Sequence, residues 1–134
     1  MAIGKLSRRL RPTVAGSGLS PSQISVLFTI VRRGPLGLSE LAEFEALNPT
    51  MLSRIIVHLS DLGLIRRESR PDDRRAAVVT ATAAGRRVRE RVHVERTRAL
   101  SGYLESLDAQ QQAVLLAALP ALEALAERIG DDRS

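Results

Sequence analysis

Three proline-bearing punctuation marks, Ser20-Pro21, Gly34-Pro35 and Asn48-Pro49, cut the first half of the chain into short segments and leave no room there for a long helix. Proline is tolerated in the first turn of a helix and breaks its interior. Ser20-Pro21-Ser22-Gln23 therefore predicts a helix start, with Ser20 as N-cap and Gln23 as the return partner of a capping box. Ile24, Leu27, Phe28 and Val31 supply one apolar face, and Gly34-Pro35 ends the helix. Gly37-Leu38-Ser39-Glu40 opens a second, short helix, with Leu38, Leu41 and Ala42 at helical spacing and an end near residues 44–47. Glu40 sits where it favours the helix dipole. Asn48-Pro49 opens a third helix by the same logic. Its apolar face is Leu52, Ile55, Ile56 and Leu59, its other face is Thr50, Ser53, Arg54, Val57 and His58, and Gly63 closes it. Ahead of all three, Leu6, Leu10 and Val14 at i, i+4, i+8 predict a short basic helix over residues 5–15, ended by Gly16-Ser17-Gly18.

Two short helices joined by a few residues, the second with small polar groups and an arginine near its start, have the sequence shape of a helix-turn-helix. A helix fits the major groove, and its first residues reach base edges where short or forked side chains stand. The same pair also suits a plain helical hairpin in a core. The next segment shifts the balance towards DNA. Residues 64–68 predict a strand, Arg70-Pro71-Asp72-Asp73-Arg74-Arg75 a charged turn, and residues 76–80 a returning strand. A β-hairpin directly after a helix-turn-helix is a wing, and an arginine-rich tip suits the narrow minor groove. Two adjacent acids would repel phosphate unless one aligns an arginine through a bidentate pair. An exposed, solvated charge cluster is the competing reading of this turn.

Thr82-Ala83-Ala84-Gly85 predicts the start of a long helix capped by Thr82, with Val88, Val92, Ala99, Leu100, Tyr103, Leu104 and Leu107 as an irregular apolar stripe. Asp108 with Gln111 marks a further helix start. The final segment carries Leu115, Leu119, Leu122, Leu125 and Ile129 among many alanines and is apolar nearly all round. Such a helix needs burial on more than one side, and a second chain is the natural supplier. Pro120 predicts a kink in it, with a full break as the competitor.

A chain of 134 residues fits one domain. Aromatics are 2%, so the core is aliphatic. The absence of cysteine excludes disulfides, thiolate zinc sites, iron–sulfur clusters and a cysteine redox sensor. No apolar run approaches the ~20 residues of a membrane helix, and residues 1–5 lack a signal-peptide core, so a cytoplasmic protein is expected. The net charge is +5, and it is unevenly spread. Residues 85–98 hold six Arg against two Glu, whereas residues 99–134 hold two Arg against six acids. A segregated basic surface is what a polyanion-binding protein needs. No glycine-rich phosphate loop, nucleophile elbow or His/Cys/Asp constellation is present, so an enzyme is not expected. His58 and His93 are read as solvent-facing helix residues, and no metal or other cofactor is expected.

The chain resembles the multiple-antibiotic-resistance regulator (MarR) family of winged helix-turn-helix repressors. The resemblance rests on Leu38-Ser39-Glu40-Leu41-Ala42, on Asn48-Pro49-Thr50-Met51-Leu52-Ser53-Arg54 followed by Leu59 and Gly63-Leu64, and on Asp73-Arg74-Arg75 with Thr82 and Gly85 downstream. It spans roughly residues 5–129. Ala81 stands where the family usually has Leu, and the N-terminal helix is short for the family. The resemblance implies a mainly α fold with a small β-hairpin wing. Residues 19–85 would form the DNA-binding lobe, and residues 1–15 and 86–134 the dimerisation helices. It implies a homodimer on a pseudo-palindromic operator, acting as a repressor relieved by lipophilic aromatic acids or phenols. A regulator without an effector and an interaction module without operator binding are the alternatives. Thr50, Ser53 and Arg54 are the expected major-groove contacts, with Arg54 reading guanine or clamping phosphate; Pro49 and Met51 are expected to touch thymine methyls or to shape the helix start, and Ser39 and Asn48 are expected among the DNA-binding residues. Arg75, held by Asp73, is the expected minor-groove finger, and Arg70 and Arg74 grip phosphate. Arg8 and Arg11, with residues of the helix that begins at Pro21, are expected to line the effector pocket. Leu6, Leu10, Leu115, Leu119, Leu122, Leu125 and Ile129 are expected at the dimer interface.

Overall fold

The computed structural model describes residues 3–6, 16–69 and 77–131. Arg8, Leu10, Arg11, Arg70, Asp73, Arg74 and Arg75 lie outside the described residues, as does the side chain of Ile129. Residues 3–6 are helical, with Leu6 exposed. The ordered elements that follow are α1 (Pro21–Arg33), β1 (Leu36–Gly37), α2 (Leu38–Glu45), α3 (Pro49–Asp61), β2 (Ile65–Ser69), β3 (Ala77–Ala81), α4 (Ala83–Glu105) and α5 (Ala109–Asp131).

The helix starts form as the caps dictate. Ser20 and Gln23 complete a capping box, with Gln23 N–H donating to Ser20 Oγ at 3.3 Å and Ser20 N–H to Gln23 Oε1 at 2.8 Å. Asn48 Oδ1 accepts from Met51 N–H at 2.8 Å, and Pro49 takes the first helical position of α3. Asp108 and Gln111 cap α5 reciprocally at 2.8 and 3.2 Å. The α5 helix continues through Pro120 as one element, so the full break does not occur.

The hairpin sits one residue further along than its composition suggests. β2 ends on Ser69 and β3 ends on Ala81, because the pairing Ile65↔Ala81 puts both apolar side chains into the core. The short strand β1 was not foreseen. It pairs antiparallel with β3 through Leu36↔Val79 and makes a three-stranded sheet in the order β1-β3-β2. Two residues after a helix carry no local strand signal; the edge of β3 supplies it.

The core is aliphatic and lies around α1, which packs against α2, α3, α4 and β3. This central position corrects the one-sided apolar face expected for α1. Val26 and Ile30 are fully buried with Ile24 and Leu27, while Phe28 and Val31 are only half-buried. In α3 the buried set is Leu52, Ile55, Ile56 and Leu59, as the spacing predicts. The stripe expected along α4 is also narrower than its sequence implies. Val92 is buried and Val88 packs on the core, but Leu100 and Tyr103 are exposed. The helix leaves the lobe after its first half and takes those residues with it.

Candidate nucleic-acid interface

The exposed face of α3 is built by subtraction. Once Leu52, Ile55, Ile56 and Leu59 turn inward, the helical period leaves Thr50, Met51, Ser53, Arg54, Val57 and His58 facing outward. Thr50 and Ser53 are short, so this part of the helix can approach a groove closely. Asn48 holds that end in place, and its carbonyl oxygen is committed to the cap. Arg54 is central: it borders a cleft of about 540 Å³ shared with Ser20, Ser22, Asn48, Thr50 and Met51. It also borders a second, of about 350 Å³, with Ser53, Val57, His58 and Asp61. Ser20 and Ser22, at the start of α1, therefore lie beside the start of α3. By sequence Ser20 is a helix cap and Ser22 has no assigned role, and nothing in their spacing from Asn48 reveals the meeting. Ser39 is exposed on the first turn of α2 and borders neither cleft.

The hairpin stem adds basic side chains. Arg66 and Arg67 are exposed on β2, and Arg66 pairs with Glu68 on the same strand. Ser69 and Ala77 are directly paired across the hairpin, and Arg70, Asp73, Arg74 and Arg75 belong to the stretch of sequence between them. His58 and His93 are both exposed.

A third cleft, about 350 Å³, opens between α1 and α4. Ile24, Phe28, Thr29 and Arg32 line it from α1, and Arg89 and Arg96 from α4. The Arg89 and Arg96 guanidinium carbons stand 5.6 and 5.5 Å from the centre of the Phe28 ring. The two guanidinium groups attract an anion, and the ring beside them offers an apolar face on which a flat group can pack. The resemblance named residues of α1 for an effector pocket, and it named neither Arg89 nor Arg96. The signal for that pair was the seven-residue spacing of Arg89 and Arg96, which puts both on one helix face.

The third feature is the apolar face of α5. Val114 and Leu116 are 62% and 67% exposed, and Leu115, Leu119, Leu122 and Leu125 are exposed with them. Among the described residues, this helix packs extensively against no other element. A polar tie joins it to the end of α4: Gln112 Nε2 donates to the Leu104 carbonyl of α4 at 3.0 Å and to the Leu107 carbonyl of the connecting loop at 2.9 Å.

A three-helix lobe with an antiparallel hairpin, a capped helix with a polar exposed face, and long flanking helices define a winged helix-turn-helix regulator. The comparisons agree. The MarR family model matches residues 19–77. The HTH-type transcriptional regulator ML2140 of Mycobacterium leprae is 33% identical over 108 residues, which is 75% of this chain and 76% of that protein. The crystal structure of RV1404 from Mycobacterium tuberculosis superposes with a TM-score of 0.78 at 26% identity, over 92% of this chain and 88% of that one. RV2887, a MarR family protein of Mycobacterium tuberculosis solved with p-aminosalicylic acid, shares the fold at 24% identity and a TM-score of 0.68, over 91% of this chain and 95% of that one. The chain belongs to the MarR family of transcriptional regulators. Among the described residues, no helix is long and apolar enough to cross a membrane.

Proposed function

We propose that the protein is a homodimeric, sequence-specific DNA-binding repressor whose operator affinity is lowered by small aromatic anions. The observation that carries the DNA reading is the outer face of α3. Short polar side chains and Arg54 stand over a fully apolar inner face, and the arginine-bearing hairpin follows within a few residues. Thr50, Ser53 and Arg54 meet base edges in the major groove, and the turn with Arg75 reaches the adjoining minor groove. Ser20 and Ser22 join this surface as backbone-phosphate contacts. The single chain leaves the apolar face of α5 uncovered, which supports a symmetric pair of chains joined through α5 and the N-terminal segment. Such a pair presents two copies of α3 to one side of a duplex, and their separation sets the half-site spacing. The cleft over Phe28 supports the effector reading, since Arg89 and Arg96 suit a carboxylate or phenolate joined to a ring. The p-aminosalicylate bound by RV2887 is a probe of the right chemistry.

The test is an operator footprint, taken with and without p-aminosalicylate and other aromatic acids. A pseudo-palindromic protected site that fades as ligand is added supports the proposal. Protection indifferent to every aromatic acid leaves a regulator without an effector, and no protected site at all removes the DNA reading.

A further inference from the structure

Thr29 stands at a junction between two parts of the lobe. Its hydroxyl donates a 2.5 Å hydrogen bond to Glu45 Oε1, and the same residue lines the cleft over Phe28. Glu45 is the last residue of α2, and only Ala46, Leu47 and Asn48 separate it from α3. That connection has little slack. Ala46 holds a left-handed backbone with φ 52°, and Ala46 and Leu47 N–H donate back into α2 at 3.2 and 3.1 Å. Asn48 then caps α3. A displacement of the end of α2 is therefore handed to the start of α3. One turn beyond Thr29, the Arg33 guanidinium carbon lies 4.4 Å from the centre of the Phe44 ring and makes a second tie from α1 to α2. Phe28 and Arg32 meet the α1–α4 cleft, while their neighbours Thr29 and Arg33 meet α2.

We propose that Thr29 is a positioning residue for DNA readout, through which a ligand in the cleft reaches α3. This rests on the reading of that cleft as an effector site. A threonine hydroxyl has one hydrogen to donate. In the structure Glu45 receives it. An anion drawn in by Arg89 and Arg96 competes for that hydrogen, and its charge repels the Glu45 carboxylate. The ligand therefore binds better to an arrangement in which the end of α2 has let go of α1. That difference in affinity is what shifts the population. The coupling is reciprocal: what the ligand takes from operator binding, the operator takes from ligand binding.

The experiment compares the full chain with Thr29→Val, Thr29→Ser and Glu45→Ala. Operator affinity is read by anisotropy on a duplex selected from a random library, and p-aminosalicylate affinity by calorimetry. Coupling in the unmodified protein is expected on the order of 5- to 150-fold. Thr29→Val keeps the branched shape and loses the donor. It should bind p-aminosalicylate, start from weakened operator affinity and respond to ligand less than about twofold by this scale. Thr29→Ser should restore both operator affinity and response. Glu45→Ala removes the competitor and should bind p-aminosalicylate more tightly than the unmodified chain, a gain that a merely structural role would not give. Full operator affinity and full response in Thr29→Val overturn the inference, as does unaltered ligand affinity in Glu45→Ala. If the unmodified protein binds neither p-aminosalicylate nor other aromatic acids, the effector reading itself fails and takes this inference with it.

Discussion

A methyl group placed on Gly85 would lie 2.1 Å from the Leu64 carbonyl oxygen. The contact fixes how α4 leaves the sheet. Leu64 O accepts from Thr82 N–H at 3.0 Å, Thr82 Oγ1 donates to the Gly63 carbonyl at 2.6 Å, and Gly85 N–H donates to Thr82 Oγ1 at 3.1 Å. The start of α4 is thus pinned to the turn that ends α3, and only a residue without a side chain fits the corner. The Thr82–Gly85 pair that marked the family resemblance has a mechanical role in this fold.

Gly85→Ala should therefore destabilise the lobe. The clash is with backbone, which cannot rotate away, so the cost should reach or exceed the ~1–3 kcal/mol typical of overpacking. Thr82→Ala should cost about 1–2 kcal/mol through loss of the helix cap. Chemical denaturation followed by circular dichroism checks both, and a Gly85→Ala variant as stable as the parent contradicts the geometry.

On the exposed face of α3, Arg54→Ala should weaken operator binding by ~1–3 kcal/mol if its guanidinium reads a base. Competition titrations against operators with single base changes distinguish the two roles of Arg54. A base contact relaxes preference at one position. A phosphate clamp weakens every sequence alike and lowers the slope of log K against log salt by ~1.

Arg75→Ala probes the wing. It should reduce operator affinity strongly in an anisotropy titration while melting at the temperature of the parent. Affinity equal to that of the parent would remove the hairpin from the mechanism.

Leu119→Glu with Leu122→Glu puts two charges on the bare apolar face of α5. Analytical ultracentrifugation should then find monomer where the parent is dimeric, and operator binding should fall with it. Burying an unpaired carboxylate costs several kcal/mol, more than most interfaces tolerate at one site. A variant that remains a dimer places the interface elsewhere.

Arg96→Ala should weaken p-aminosalicylate binding in calorimetry, and Phe28→Ala should do so through loss of the ring floor. The Arg96 loss should be about 1.5–3 kcal/mol, the scale of a hydrogen bond to a charged group, and the Phe28 loss about 0.5–1.5 kcal/mol, the scale of an aromatic pair. Ligand affinity unchanged in both variants would move the effector site away from the α1–α4 cleft.

Much of this protein is written locally in its sequence. Ser20, Asn48, Thr82 and Asp108 mark helix starts because a cap needs only a side-chain oxygen and the amide three residues on. The inner and outer faces of α3 follow from the 3.6-residue period alone. The wing stem follows from two short strands around a charged turn. What was not legible depends on residues far apart in the chain. Val26 and Ile30 are buried because four elements close around α1. Leu36 and Gly37 become a strand because the edge of β3 stands beside them. Arg89 and Arg96 gather over Phe28, and Thr29 meets Glu45, only after α4 and α2 have docked on α1. Caps and periodicity are set by a residue and its near neighbours, whereas a cleft or a hydrogen bond between helices exists only once packing has brought distant surfaces together.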